Sequence, residues 1–355
     1  MKLTITDDVE DAESIDINDL AEVAVAEDIP SFSTNELNKN AMGGSELMAQ
    51  ALQKKLDPKL VENFQFILSR VREVSKKKIP ILWCHDLAHD PEVKHLSEAS
   101  SRDRFKKMIF VSNWQLQMYN LVLGVPYSKS HVLQNAIETF PKFEKEYDGT
   151  IRLIYHTTPH RGLALLVPVF EHLAKDLPFI HLDVYSSFDI YGWPERDKDY
   201  QEVFKRVEDH PQMTYHGSVP NDEVREALKK SHIFAYPSIW PETSCIAAIE
   251  AMAAKNIVVC PNYAALPETC ARWGWMYQWN EDHNLHANEF ASNLHAAIMT
   301  MKDAYEDVDG KGSMLLAHLD HQKNYYDVFF GWDARIVEWT TLLEKMLKDD
   351  ANTRD

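Results

Sequence analysis

Tyr236-Pro-Ser-Ile-Trp-Pro-Glu242-Thr-Ser-Cys-Ile-Ala-Ala-Ile-Glu250-Ala-Met-Ala-Ala-Lys-Asn-Ile-Val-Val259 places one carboxylate just before a helix and a second eight residues on, inside it. The apolar run Ile233 to Tyr236 reads as a strand, Thr243 and Ser244 are good residues for a helix start, and Cys245 to Ala254 reads as the helix. Ile257 to Cys260 then reads as the next strand. The first turn, Thr243 to Ile246, leaves backbone N–H groups without intrahelical partners at the positive end of the helix dipole, which suits a diphosphate. Glu242 at the helix mouth can accept hydrogen bonds from hydroxyl groups, and Glu250, two turns deeper, can accept them from a ribose. The plain alternative is an ordinary helix capped by Thr243 and Ser244, with Glu250 a solvated surface residue.

Working outward, the same alternation fills the second half of the chain. Strand-like runs at Ile151 to Tyr155, Ile180 to Tyr185 and Met213 to His216 are separated by helical stretches such as Leu163 to Lys175 and Asn221 to Lys230. Alternating strands and helices are the signature of an α/β protein with doubly wound parallel sheets. The first half repeats the pattern, with a helix from Ser45 to Leu56, strands at Phe64 to Ser69, Ile79 to Cys84 and Met108 to Ser112, and a helix from Trp114 to Leu123 stopped by Gly124. Val132 to Ile137 reads as the last short strand of that half, and the charged stretch Lys142 to Gly149 as the linker. The chain thus divides into an acidic N-terminal arm (1–30), a short first Rossmann-like domain (31–145), a second Rossmann-like domain (150–331) and a terminal segment (332–355) carrying a helix from Asp333 to Lys348. Two such domains facing each other hold a ligand in the interdomain cleft, at the carboxyl ends of both sheets.

Composition narrows the partners. At 355 residues and 45% hydrophobic content the chain is long enough for two cores. Its net charge of −18 repels phosphate backbones and anionic lipid heads. No nucleic-acid partner is expected, and at most peripheral membrane contact. Much of the charge sits in the arm, where Asp7, Asp8, Glu10, Asp11, Glu13, Asp16, Asp19, Glu22, Glu27 and Asp28 face a single Lys2, with Glu22 to Ala26 readable as an edge strand. No apolar run approaches the roughly 20 residues that span a bilayer. The N-terminus lacks the features of a signal peptide, so a cytoplasmic location is expected. Cys84, Cys245, Cys260 and Cys270 form no close metal-binding or redox pair and read as reduced, buried thiols.

Further residues carry chemistry. Gly43-Gly44 opens a helix and lets the backbone approach a phosphate oxygen; alone, the pair is equally a flexible turn. Arg161 follows the first strand of the second half and can place a permanent charge on a diphosphate, or be an exposed loop residue. His85 and His89 in Trp83-Cys-His-Asp-Leu-Ala-His-Asp-Pro91 are spaced i, i+4, but Pro91 and the preceding strand argue for a loop, so no metal site is expected. Asp307-Val-Asp309 reads as a solvated turn in a polar loop, Glu306 to Ser313.

The segment Pro237-Ser238, Glu242, Glu250-Ala-Met-Ala resembles the Glu, seven residues, Glu motif of retaining GT-B glycosyltransferases, specifically glycosyltransferase family 4, also called glycosyl transferases group 1. The resemblance runs from Gly43 to about Trp332. It implies two Rossmann-like domains, the first (31–145) for the acceptor and the second (150–331) for a nucleotide-diphosphate sugar as substrate, no required metal, and transfer to an acceptor hydroxyl of a glycan, lipid or small molecule. In the family pattern Glu242 orients the sugar, Glu250 the ribose, Gly43-Gly44 the diphosphate from the opposite wall, and Tyr215-His-Gly217 lies near the base. His85 matches a histidine-bearing loop facing the transferred sugar, and Trp332 an aromatic residue where the last helix crosses back to the first domain. Several positions depart from the pattern: Cys245 and Lys255 stand where family members carry Gly, Arg161 stands for a Lys, His156 lies near a usual Arg, and Tyr263-Ala-Ala-Leu-Pro-Glu268 has lost two glycines. Those departures, with the shortened first domain, keep open a non-catalytic sugar-nucleotide-binding accessory protein; another GT-B chemistry, such as a sugar-nucleotide epimerase, is a second rival.

Overall fold

The computed structural model describes residues 29–32, 43–307, 310 and 312–354. The acidic arm to Asp28, with the strand expected at Glu22 to Ala26, and Val308-Asp309 lie outside the described residues. The first domain contains α1 (Gly44–Lys55), α2 (Pro58–Val61), β1 (Phe64–Leu68), β2 (Ile79–Cys84), α3 (Ala99–Arg102), β3 (Lys107–Phe110), α4 (Asn113–Leu123) and β4 (Ser130–Val132). Its strands are parallel in the order β1-β2-β3-β4, and Phe32 adds a parallel bridge to Phe66 on the β1 edge. Covered on both faces, β1 and β2 read as near-continuous apolar runs. Local sequence sets the ends of α4: the Ser112 side chain accepts from the Gln115 N–H at 3.0 Å, and Gly124, at φ 67°, closes the helix.

The second domain holds β5 (Ile151–Tyr155), α5 (Leu163–Ala174), β6 (Ile180–Val184), α6 (Gln201–Asp209), β7 (Met213–Tyr215), α7 (Asn221–Lys230), β8 (Ile233–Ala235), α8 (Ile246–Ala253), β9 (Ile257–Pro261), α9 (Leu266–Cys270), β10 (Trp275–Tyr277), α10 (His283–Glu306) and α11 (Gly312–Phe330). A last helix, α12 (Trp332–Arg354), follows. The six parallel strands lie in the order β10-β9-β8-β5-β6-β7. The chain therefore starts at mid-sheet with β5, winds out to β7, returns to β8 beside β5, and winds the other way. A doubly wound sheet opens a crevice where that direction reverses, beyond the carboxyl ends of β5 and β8. The opening sequence segment is the β8 connection.

Some sequence expectations shift. The short strand ends at Val132, because the chain then leaves the sheet: the Ile137 N–H donates to the Phe330 carbonyl (2.8 Å), and Ile137 bridges to Gly331. The charged linker is pinned to the second domain: Lys145 Nζ is buried, donating to the carbonyls of Leu228 (3.0 Å) and Ser231, while Lys255 Nζ donates to the Phe143 carbonyl (2.9 Å). α10 ends at Glu306 and α11 begins at Gly312, so the connection expected between helices at Glu306 to Ser313 falls where two helices meet. The last helix starts at Trp332 and runs to Arg354. It packs on the first domain: Trp332, Trp339, Leu342, Leu343 and Met346 share a core cluster with Phe64, Phe66 and Trp83, and Trp339 sits edge-on to Trp83 with ring centres 5.1 Å apart.

Candidate functional site

Two loops meet at the switch point. The one after β5 carries His156 to Gly162, and the one after β8 carries Tyr236 to Cys245. Gly162 makes their contact possible: its φ is 128°, and a Cβ there would collide with the Pro237 carbonyl. With the loops in register, Arg161 Nη1 donates to Glu242 Oε1, and Arg161 Nε donates to Thr158 Oγ1 at 3.1 Å. The Tyr236 hydroxyl donates to the same Glu242 oxygen. Glu242 is 4% exposed. A carboxylate so deeply placed needs such donors to stay tolerable. Burial lowers the Arg161 pKa, but Glu242 and neighbouring tyrosines outweigh that and hold it well above the usual arginine value. The guanidinium is thus a fixed cation at the crevice.

The helix behind Glu242 starts later than its sequence suggests. Residues from Ile246 are helical, Cys245 takes the cap position, and its side chain makes no cap bond. Thr243 and Ser244 therefore do not cap the helix. Thr243 instead crosses the cleft, its hydroxyl donating to the His85 carbonyl of the first domain at 2.9 Å. Cys245 is buried with φ −95°, a conformation open to any residue, and burial raises its thiol pKa. The left-handed position is at the other end of α8, where Lys255 has φ 59°.

Glu250, deeper in α8, is 7% exposed and not solvated. Burial raises its pKa against the opposing charge of Arg225, whose Nη1 donates to Glu250 Oε1 at 2.8 Å. Arg225 also lies over the Phe140 ring, 3.9 Å from its centre, and donates to the Glu138 carbonyl at 2.9 Å. Arg225 lies one helical turn after Asn221, and that position on a polar helix gave no sequence signal. His156 and His160 supply no second charge, because burial lowers each pKa to about 3. Gly217, at φ 65°, forms the left-handed turn after β7.

The first domain provides the opposite wall. A Cβ on Gly43 would lie 2.7 Å from the Tyr191 ring, and one on Gly44 3.0 Å from Ile246 Cδ1. Gly44 thus sits against the start of α8, and Gly43 against Tyr191 of the second domain. His85 follows β2; burial lowers its pKa to about 3, and its Nε2 is buried without a partner. Asp86 does not hold it; the His85 N–H donates to Ser69 Oγ at 2.8 Å and its ring packs on Trp83 at 4.8 Å. Glu268, on α9, bridges the domains by accepting from the Asn113 N–H (3.0 Å), Asn113 Nδ2 (2.8 Å) and Trp114 N–H (3.1 Å), at the first turn of α4. No group of three or more metal-binding side chains occurs among the described residues.

Residues 137–295 match the family model described as Glycosyl transferases group 1. No curated protein sequence matches significantly. Among solved structures, a glycosyltransferase from Rickettsia africae is similar with a TM-score of 0.60 at 14% identity, over 89% of this chain and 84% of that one. Anabaena Alr3699/HepE in complex with UDP-glucose is similar with a TM-score of 0.57 at 13% identity, over 84% and 82%. S. aureus TarM, solved with Fondaparinux, alpha-GlcNAc-glycerol and UDP, is similar with a TM-score of 0.53 at 14% identity, over 84% of this chain and 58% of TarM. No helix among the described residues is long and apolar enough to cross a membrane. The chain is a two-domain protein of the GT-B fold, and through residues 137–295 it carries the group 1 glycosyltransferase signature.

Proposed function

We propose that this chain is a retaining glycosyltransferase that moves a sugar from a nucleotide-diphosphate sugar to an acceptor hydroxyl. The observation that carries the reading is the switch-point constellation: Arg161, Glu242 and the uncapped start of α8 on one wall, with Gly43-Gly44 against them on the other. Departure of a nucleoside diphosphate develops negative charge. A fixed guanidinium and the N–H groups at the start of α8 stabilise that charge without rearrangement and without a required metal. Glu242, held by Arg161 and Tyr236, is the acceptor of hydrogen bonds from the donor sugar, and Glu250 from the ribose. His85, neutral and with a buried ring nitrogen that lacks a partner, is the polar contact facing the sugar. Thr243 ties the two walls by its bond to the His85 carbonyl, and Cys245, Ile246 and Gly217 line the diphosphate and base side.

A second reading, a sugar-nucleotide-binding protein without turnover, draws on the departures at Cys245, Lys255 and His156 from the family pattern. The test is a thermal-shift screen with UDP, GDP, ADP and their sugars, followed by transfer and donor-hydrolysis assays. The expected result is a selective donor shift, with turnover lost about 100-fold or more in Arg161→Ala and Glu242→Gln. Selective binding with no turnover across a broad acceptor panel would favour the second reading. Conversion of the donor sugar without an acceptor would point to epimerisation.

A further inference from the structure

Resting on the transferase reading, we propose that Trp193 and Trp240 form a stacking ledge for a carbohydrate acceptor, so that the acceptor is a glycan. The chain has nine tryptophans. Only two of them are strongly exposed, Trp193 at 43% and Trp240 at 39%. They are not scattered singly over the surface, as exposed apolar residues commonly are.

Both sit on one connected set of rings. Trp240 meets His160 edge-on with ring centres 4.8 Å apart, and His160 stacks on Phe188 at 5.2 Å. The Arg196 guanidinium lies 5.6 Å from the centre of Phe188 and 5.1 Å from that of Trp193, which in turn packs against Tyr191 at 5.5 Å. These contacts hold the indoles in place while both residues stay exposed to solvent.

This set borders the reaction site on each side. Trp240 lies two residues before Glu242, His160 is adjacent to Arg161, and Tyr191 abuts Gly43 on the opposite wall. On the transferase reading the ribose end of the donor lies at Glu250, which pairs with Arg225. A ligand on the ledge is thus placed on the sugar side of the cleft. Sugar rings present apolar C–H faces flanked by hydroxyls, and those faces suit the electron-rich face of an indole. The exposed guanidinium of Arg196 adds hydrogen-bond donors for the hydroxyls.

Saturation-transfer NMR and tryptophan fluorescence of the full chain, with methyl glucosides, galactosides and mannosides, maltotriose and cellotriose as probes, test the ledge. At least one probe is expected to bind through one ring face, with affinity reduced about tenfold or more in Trp193→Ala and Trp240→Ala and largely restored in Trp240→Tyr. The thermal shift given by the donor should stay unchanged in all three variants. Binding by no probe, equal binding by the double Trp193→Ala, Trp240→Ala variant, or loss of the donor shift in that variant would overturn the proposal. A wild-type chain that takes up a probe but shows neither donor shift nor turnover would retain the ledge and remove the transferase reading.

Discussion

At Lys255 the backbone is left-handed, the conformation in which a helix most readily ends on glycine. The lysine persists there because its ammonium is employed: it bonds the Phe143 carbonyl and pairs with Asp320 at 2.5 Å, pinning the linker to α11. Lys255→Ala keeps the strain and loses those bonds, whereas Lys255→Gly loses the bonds and relieves the strain. The glycine variant should therefore be the more stable of the two by about 1 kcal/mol in denaturant melts. Gly162→Ala should be far worse, losing more than about 1 kcal/mol together with donor binding, since its φ and its contact with Pro237 both forbid a Cβ. At this scale the sequence was informative where a residue's chemistry is unusual for its place, as with Glu242 and Arg161. It was silent on Arg225 and Tyr236. Their roles arise only when α7 and the end of β8 are brought beside the carboxylates, and an arginine on a polar helix or a tyrosine ending a strand is commonplace in isolation.

Among elements, α4 and α9 define how the two domains meet. The carboxylate of Glu268 completes the first turn of α4 from across the cleft, a cap supplied by another domain. Glu268→Gln should leave each domain folded but loosen their contact. Amide hydrogen exchange at Asn113 and Trp114 should then rise while exchange in β5 and β8 stays as in the wild type; unchanged exchange at α4 would refute the clasp. Most strands and helices could be read in advance, because buried parallel strands are short apolar runs and their helices are amphipathic. Edge strand β10 was not read, although it is no shorter than β7 and β8; Trp275 and Met276 are only half-buried there. The start of α8 was misplaced for a different reason. Thr243 has good capping chemistry, but its hydroxyl is taken by a carbonyl of the other domain, a partner no local pattern reveals.

For the whole molecule, partly and fully buried histidines contribute to the response to acid. Burial lowers the pKa to about 3 at His85, His156, His160 and His232, and to about 4 at His95. Unfolded, each binds a proton near pH 6.5. Below that pH the unfolded chain holds more protons than the folded one, so the stabilising contribution is complete above about 6.5 and is lost as the pH falls towards 3 to 4. Unfolding at pH 5 should take up about five protons from these groups, a steep slope that urea titrations at pH 7, 6 and 5 will detect. The two-domain, doubly wound architecture could be inferred from the alternation alone. The location of the crevice needed the strand order, because only the neighbouring of β5 and β8 brings residues 161 and 242 together.

The packing of α12 has a consequence for synthesis. The first domain's core includes Trp339, Leu342, Leu343 and Met346, which the ribosome makes after the entire second domain. Until those residues emerge, Phe66 and Trp83 lack the tryptophan that covers them. The second domain, whose strands and helices precede α12, is therefore free to fold first, and the half of the protein translated earlier is completed last.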